Sequence, residues 1–151
     1  MLLMCMKKIL IAYDGSDASK KAINLTMQCV DKDDEIYMLT IIPAELIESS
    51  FTKMLLPTLD LGDLVRSGSF KERAMETISK AAKELESQVK KVTPLVEAGD
   101  PADEILMVAK RFDVDIIVLG YKGYGKEGRF LLGSVTDKVV RHASKSVLVA
   151  R

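Results

Sequence analysis

Three glycines and a serine stand at a spacing that suits phosphate binding. Gly120, Gly123, Gly133 and Ser134 form the pattern Gly-x2-Gly-x9-Gly-Ser, which begins where an apolar run ends and stops where a helical pattern starts. Glycines let backbone amides approach an anion without an intervening Cβ, and a helix N-terminus offers unpaired N–H groups and the positive end of its dipole. The spacing therefore predicts a phosphate loop and a bound nucleotide.

Three other segments resemble phosphate-binding motifs, and each lacks a required part. Residues 120–127 nearly satisfy the P-loop pattern, but Glu127 stands where a hydroxyl should ligate magnesium. Residues 123–128 satisfy Gly-x-Gly-x-x-Gly, but too little chain follows for the strand and acidic residue of a dinucleotide fold. Residues 14–19 are faintly similar to the pyrophosphate loop of adenylating enzymes without its leading glycine pair. The Gly-x2-Gly-x9-Gly-Ser pattern is therefore preferred.

Length and composition predict one soluble cytoplasmic domain over residues 1–151. The 22 basic and 22 acidic residues cancel, so no overall field would attract nucleic acid or an anionic membrane. No run approaches the roughly 18 apolar residues of a membrane helix. Cys5 and Cys29 lack metal-site spacing and are expected to be small buried or half-buried hydrophobic residues. His142, the only histidine, has no acid–nucleophile pair near it in sequence and is expected to be packed or solvent-facing.

Short apolar runs alternate with longer amphipathic stretches. The strand-like runs are 9–12, 36–42, 95–96, 116–119 and 147–150. Apolar residues at helical spacing lie between them, as in the series Ala18, Ala22, Leu25 and Cys29. The order βαβαβαβαβ with apolar strands predicts a parallel sheet covered by helices on both faces.

Capping residues and one long connection complete this prediction. Asp100, Ser134 and either Ser16 or Asp17 are expected to be helix N-caps. Residues 43–67 are longer than an ordinary connection and rich in leucine. We expect a partly helical excursion that folds its leucines onto the sheet edge; a lid or a partner surface is the alternative.

Several of these segments together resemble the universal stress protein family, in its ATP-binding branch. The similar segments are 7–16, 99–102, 120–134, 133–143 and 146–149, so the resemblance covers nearly the whole chain. One departure is 143–146, where many relatives carry prolines. The resemblance implies an adenine nucleotide alpha hydrolase-like fold: an open five-stranded parallel sheet, ordered 3-2-1-4-5, with helices on both faces.

The resemblance also implies a binding site at the carboxyl ends of strands one and four, where the strand order reverses. It places adenine at Ile41 with Asp14 beside the base or ribose. The other implied ligand-binding residues are Ala12, Gly120, Lys122, Gly123, Arg129, Gly133, Ser134 and Val135, with Lys126 as a further cation. Mg²⁺ or Mn²⁺, if present, would be held mainly by phosphate oxygens and water. Structural alternatives stay open: Asp14 as an Asx-turn residue, Ser134 as a helix cap, and the glycines as turn formers.

Three functions follow as hypotheses. The preferred one is a stress or signalling module that binds ATP, ADP or AMP and changes its affinity for a protein partner with nucleotide occupancy. A slow ATPase or phosphotransferase is the alternative, with Asp14 as the only candidate base. A switch phosphorylated at Asp14 is disfavoured because no second acidic residue adjoins it. The apolar strand 147–150 should pair with a second copy in a homodimer, unless residues 43–67 cover it.

Overall fold

The computed structural model describes residues 6–44, 69–122 and 132–151. The predictions for Cys5, Gly123, Lys126, Arg129 and most of segment 43–67 lie outside these residues. The strands and helices alternate along the chain: β1 (Lys8–Ala12), α1 (Asp17–Cys29), β2 (Glu35–Pro43), α2 (Ser69–Lys83), β3 (Lys91–Gly99), α3 (Pro101–Arg111), β4 (Ile116–Gly120), α4 (Ser134–His142) and β5 (Ser146–Ala150).

The five strands form one parallel sheet in the order β3-β2-β1-β4-β5, which confirms the predicted topology. β1 is the central strand, with Ile9 opposite Ile36 of β2 and Ile116 of β4. Leu10 and Ile11 of β1 are fully buried, because side chains of successive residues enter opposite faces and both faces are covered.

Two hydrophobic layers cover the sheet. Ile9 and Ile11 face the layer that contains Ala22 of α1 and Ile78 of α2. Leu10 faces the opposite layer, formed by α3 and α4. Alternate residues of β1 therefore pack against the apolar sides of helices on opposite faces of the sheet.

The core-facing side of α1 differs from the predicted apolar stripe. Ser19 and Thr26 are buried with Ala22, whereas Cys29 is exposed, so its expected burial is wrong. Each buried hydroxyl donates to a backbone carbonyl of its own chain segment, Ser19 to Ser16 and Thr26 to Ala22. These bonds satisfy the hydroxyls, which can then face the core like small apolar residues.

β3 is longer than its short apolar run predicted. Lys91, Pro94 and Glu97 interrupt the hydrophobic pattern, yet all of Lys91–Gly99 pairs with Glu35–Pro43 of β2. β3 lies at the edge of the sheet, where a proline, which has no N–H to donate, is tolerated.

A buried carboxylate joins the amino ends of β1 and β2. Asp34 is 1% exposed and accepts hydrogen bonds from the amides of Lys7, at 2.8 Å, and Asp31, at 2.9 Å. The Lys7 ammonium lies 3.1 Å from its second oxygen. Burial raises the pKa of Asp34, but these amide bonds and the Lys7 charge outweigh it and leave the pKa below its usual value. The charged carboxylate therefore stabilises this end of the sheet.

Candidate functional site

A cavity of about 510 Å³ opens at the carboxyl ends of β1 and β4. The strand order reverses between these two neighbours, since the chain continues from β1 to β2 on one side and from β4 to β5 on the other. Crevices at such switch points are the usual ligand sites of open α/β sheets. Every predicted site residue that the structure describes lines this cavity: Ala12, Asp14, Ile41, Gly120, Lys122, Gly133, Ser134 and Val135.

The turn between β1 and α1 forms one wall. Asp14 is exposed, and its Oδ1 accepts a hydrogen bond from the Ser16 amide at 2.9 Å, so Asp14 does form an Asx turn. Gly15 follows at φ 79°, a left-handed conformation that glycine adopts without steric cost. Ser16 then caps α1 by accepting from the Ser19 amide. The Asx turn and the cap together hold the Asp14 carboxyl at the edge of the cavity.

The end of β2 forms an apolar wall. Ile41 is half-buried at the cavity, which Leu39, Leu119 and Ile105 also line. Hydrogen bonds between β1 and β2 hold this wall in place: the Tyr13 amide donates to the Leu39 carbonyl and the Thr40 hydroxyl to the Tyr13 carbonyl, each at 2.8 Å. An apolar slot with backbone polar groups at its rim can accept a flat heterocycle.

The start of α4 forms the opposite wall, and it differs in detail from the prediction. Gly133 is the N-cap residue, with ψ 149° and no side-chain cap bond, and Ser134 is the first helical residue. The expected N-cap role of Ser134 is therefore wrong. Among the described residues the amides of Ser134, Val135 and Thr136 have no protein acceptor, because the first intrahelical bond runs from the Asp137 amide to Gly133. These unpaired amides can receive an anion.

The Gly133 amide was also expected to bind phosphate, but it already has a partner. It donates to the Tyr121 carbonyl at 2.8 Å, and the Tyr121 amide donates to the Ala150 carbonyl at 2.8 Å. These two bonds attach the start of α4 to the ends of β4 and β5. In this conformation Gly133 positions the helix, and the anion-binding capacity lies with the three amides that follow.

Gly120 has a packing role that the sequence did not reveal. A Cβ on this glycine would lie 2.6 Å from the Ala18 carbonyl carbon and 2.7 Å from the Ala18 Cβ. Both distances are far below van der Waals contact, and the first of these atoms is backbone. Gly120 therefore lets the first turn of α1 pack directly on the end of β4, which brings Asp14 and Ser16 towards α4.

Two further features in and beside the cavity were missed by sequence reasoning. Thr136 lines the cavity and donates to the Gly120 carbonyl; its β-branched hydroxyl in a first helical turn was the available signal. Tyr121 lies beneath two cations, Lys122 at 5.4 Å and Arg151 at 5.7 Å from the ring centroid, within cation–π range. Gly120 is distant in sequence from Thr136, and Arg151 from Tyr121, so these contacts carried no local pattern, whereas Lys122 adjoins Tyr121.

An ion-pair cluster joins α3 to α4 beside the cavity. The Lys138 ammonium lies 3.1 Å from Asp100 and 2.8 Å from Asp103. Asp100 is also the N-cap of α3, as predicted. The Asp103 amide and the Lys138 ammonium both donate to Asp100 and hold its pKa below the usual value. The hydrogen bonds that the Lys138 ammonium donates to Asp103 and Asp100 raise the pKa of Lys138.

Within 6–44, 69–122 and 132–151, no three His, Cys, Asp or Glu side chains are grouped so that they could hold a metal ion. None of the helices in those ranges is long and apolar enough to cross a bilayer.

Comparison with known proteins identifies the family. The model of the universal stress protein family matches residues 6–151. Universal stress protein MJ0531 of Methanocaldococcus jannaschii is 34% identical over 149 residues, which cover 96% of this chain and 82% of the relative. Universal stress protein MJ0577 of the same organism is 30% identical over 153 residues, covering 96% and 94%. The solved structure of MJ0577 has a TM-score of 0.78 at 29% identity, covering 95% of this chain and 94% of that one.

A more distant solved structure shares the fold. It is a universal stress protein family protein from Arabidopsis thaliana with AMP bound, with a TM-score of 0.63 at 18% identity, covering 95% of this chain and 90% of that one. Sequence, topology and the cavity at the strand switch point agree with one another, and the chain belongs to the universal stress protein family.

Proposed function

We propose that this protein binds an adenine nucleotide in the cavity and acts as a stress-response or signalling module of the ATP-binding branch of its family. The observation that carries the proposal is the start of α4, where three amides without a protein acceptor among the described residues line a cavity with an apolar opposite wall. A purine and a phosphate tail need these two environments at the two ends of one site.

The parts of the nucleotide can be assigned to parts of the cavity. The base lies against Ile41 at the end of β2, the ribose lies between Ala12 and Gly120, and Asp14 accepts a hydrogen bond from the base or a ribose hydroxyl. The phosphates extend towards Ser134, whose hydroxyl and amide both donate. Gly123, Lys126 and Arg129, outside the described residues, complete the phosphate site in this proposal.

Two kinds of observation support this assignment. The volume of about 510 Å³ lies within the range of about 300 to 1,000 Å³ typical of small-molecule sites. A protein of the same fold, the Arabidopsis relative, has AMP bound. The family membership makes a stress-response role the natural context, and we propose a cytoplasmic location.

We favour a binding output over catalysis because of how Asp14 is held. Its Oδ1 accepts the Ser16 amide, so the carboxylate has a structural function in the Asx turn. A slow ATPase in the same cavity, with Asp14 orienting water, is the second candidate. A Mg²⁺ or Mn²⁺ ion would be held by phosphate oxygens and water in either case. In this proposal nucleotide occupancy changes the shape of the glycine loop and so the affinity for a protein partner.

Isothermal titration with ATP, ADP, AMP and GTP tests the proposal, with two substitutions at Ser134 as a matched pair. Ser134→Ala removes only the hydroxyl. Ser134→Pro also removes the amide, and proline suits this position because Ser134 begins the helix and Gly133 has the extended ψ of 149° that a residue before proline prefers. Pro101 already begins α3 in the same way.

We expect wild-type protein to bind an adenine nucleotide and Ser134→Ala to bind it a few-fold more weakly. Ser134→Pro should lose about 10- to 100-fold, because a hydrogen bond to a charged acceptor contributes about 1.5 to 3 kcal/mol. Wild-type protein without measurable affinity for any adenine nucleotide would overturn the proposal. Phosphate release above the buffer rate that disappears in Asp14→Asn would favour the ATPase.

We also propose a homodimer that forms through β5. This strand is at the sheet edge, and Leu148 on it is 37% exposed. Unpaired edges promote strand addition, and two copies related by a two-fold axis would satisfy both. Light scattering after gel filtration should show a dimer that Leu148→Lys converts to monomer. Met107→Lys, at a residue 51% exposed on α3, is the matched control and should remain dimeric.

A further inference from the structure

Thr136 is a buried polar residue of the cavity wall that none of the predicted binding roles uses. It is the third residue of α4, is 4% exposed, and lines the cavity. Its hydroxyl donates to the carbonyl of Gly120, the last residue of β4, at 2.8 Å. The bond therefore joins the first turn of α4 to the strand end, sixteen residues away in sequence.

The position of Thr136 in its helix explains why the hydroxyl bonds outside it. A threonine within a helix commonly donates to the carbonyl four residues before it, as Thr26 does to Ala22 in α1. Four residues before Thr136 is Leu132, which precedes α4. The hydroxyl is then directed to a neighbouring element, and the carbonyl of Gly120 accepts it.

Two hydrogen bonds attach the start of α4 to the end of β4, and together they restrain the helix more than one bond could. The Gly133 amide donates to the Tyr121 carbonyl, next to Gly120 in sequence. A single such bond would let the first turn pivot about it. The second bond, from Thr136, restrains that rotation and so fixes the direction of the Ser134 and Val135 amides.

We infer that Thr136 is a positioning residue that aims the first-turn amides of α4 at the phosphates of the nucleotide. The inference rests on the proposed nucleotide binding and adds to it a residue that need not contact the ligand. Gly120 then links both sides of the cavity, since α1 packs against the position of its absent Cβ and α4 is bonded to its carbonyl.

Two substitutions separate positioning from packing. Thr136→Val retains the branched shape and loses the hydroxyl, whereas Thr136→Ser retains the hydroxyl and loses a methyl group. Thr26→Val is the matched control, because Thr26 is 2% exposed and donates over the same 2.8 Å, but within a single helix. Each variant is titrated with ATP and with adenosine, which has the base and ribose but no phosphate.

If Thr136 positions the amides, Thr136→Val should lose about three- to tenfold in ATP affinity while its adenosine affinity stays within twofold of wild type. Thr136→Ser and Thr26→Val should bind ATP as wild type does. A buried packing role would produce the reverse order, with Thr136→Ser the weaker variant. Should Thr136→Val not fold, Thr136→Ala is compared with Thr136→Ser, because these two variants differ only by the hydroxyl, and Thr136→Ala should then be the weaker in ATP affinity.

Three results would overturn the inference. They are unchanged ATP affinity in Thr136→Val, equal losses for ATP and adenosine, and equal losses in Thr136→Val and Thr136→Ser. These results are distinct from failure of the proposed function, in which wild-type protein itself binds no adenine nucleotide. If wild-type protein binds no adenine nucleotide, Thr136 has no phosphate towards which to direct the amides, and the inference fails together with the proposed function.

Discussion

The contact between Gly120 and Ala18 leads to a prediction that links stability and binding. In Gly120→Ala the new Cβ would lie 2.6 Å from the Ala18 carbonyl carbon, 2.7 Å from its Cβ and 2.8 Å from its oxygen. Carbon atoms in contact are about 3.5 to 4.0 Å apart, so α1 must retreat from β4 by about 1 Å. Backbone atoms cannot rotate away as a side chain would, so the cost falls on the docking of the whole helix.

Overpacking of this kind costs about 1 to 3 kcal/mol. For a chain of this length, that should lower Tm by about 3 to 10 °C. Asp14 and Ser16 lie in the turn that begins α1, so a shift of α1 should also weaken ATP binding. Thermal unfolding by circular dichroism and titration with ATP measure the two effects separately.

A double-mutant cycle with Ala18→Gly tests the stated cause. Ala18→Gly alone should cost up to about 1 kcal/mol through helix propensity. In combination it removes one of the close contacts, so the double variant should be more stable than the sum of the single effects by about 0.5 kcal/mol or more. A Gly120→Ala protein with wild-type Tm and wild-type ATP affinity would show that the packing argument is wrong.

Three further outcomes are expected. Asp34→Ala should lower the free energy of unfolding by about 2 to 4 kcal/mol at pH 7, because two amides and the Lys7 ammonium lose a buried charged acceptor. Since the pKa of Asp34 is lowered in the folded protein, the difference between wild type and variant in urea unfolding should shrink as the pH falls below about 3.9. A difference that stays constant down to pH 2 would contradict this expectation. Lys138→Gln should lower the free energy of unfolding by no more than about 1 kcal/mol, because its ion pairs with Asp100 and Asp103 lie at the surface. A larger loss, measured by thermal unfolding, would contradict this. Cys29 should react with a thiol reagent in native protein, and Cys29→Ser should lose one equivalent of that reaction.

Several features of the fold followed from local patterns. The central strands β1 and β4 are apolar on both faces, which is typical of buried parallel strands, and α3 has both a cap and a first-turn proline. The core-facing residues of α1 did not follow from such patterns. Ser19 and Thr26 are polar by type, and only their bonds to Ser16 and Ala22 make their burial possible.

Residue types and spacing by themselves determined the strand and helix alternation, the helix cap at Asp100, two candidate caps for α1 of which Ser16 is the cap, and the glycine pattern that indicates phosphate binding. These are local properties, because a side chain acts on its own backbone within a turn or two. Tertiary structure decided that the Gly133 amide is paired with the Tyr121 carbonyl and why Gly120 must be a glycine. Both depend on where a distant segment, Tyr121 or Ala18, is brought by the packing of helices on the sheet, and no local pattern encodes that distance.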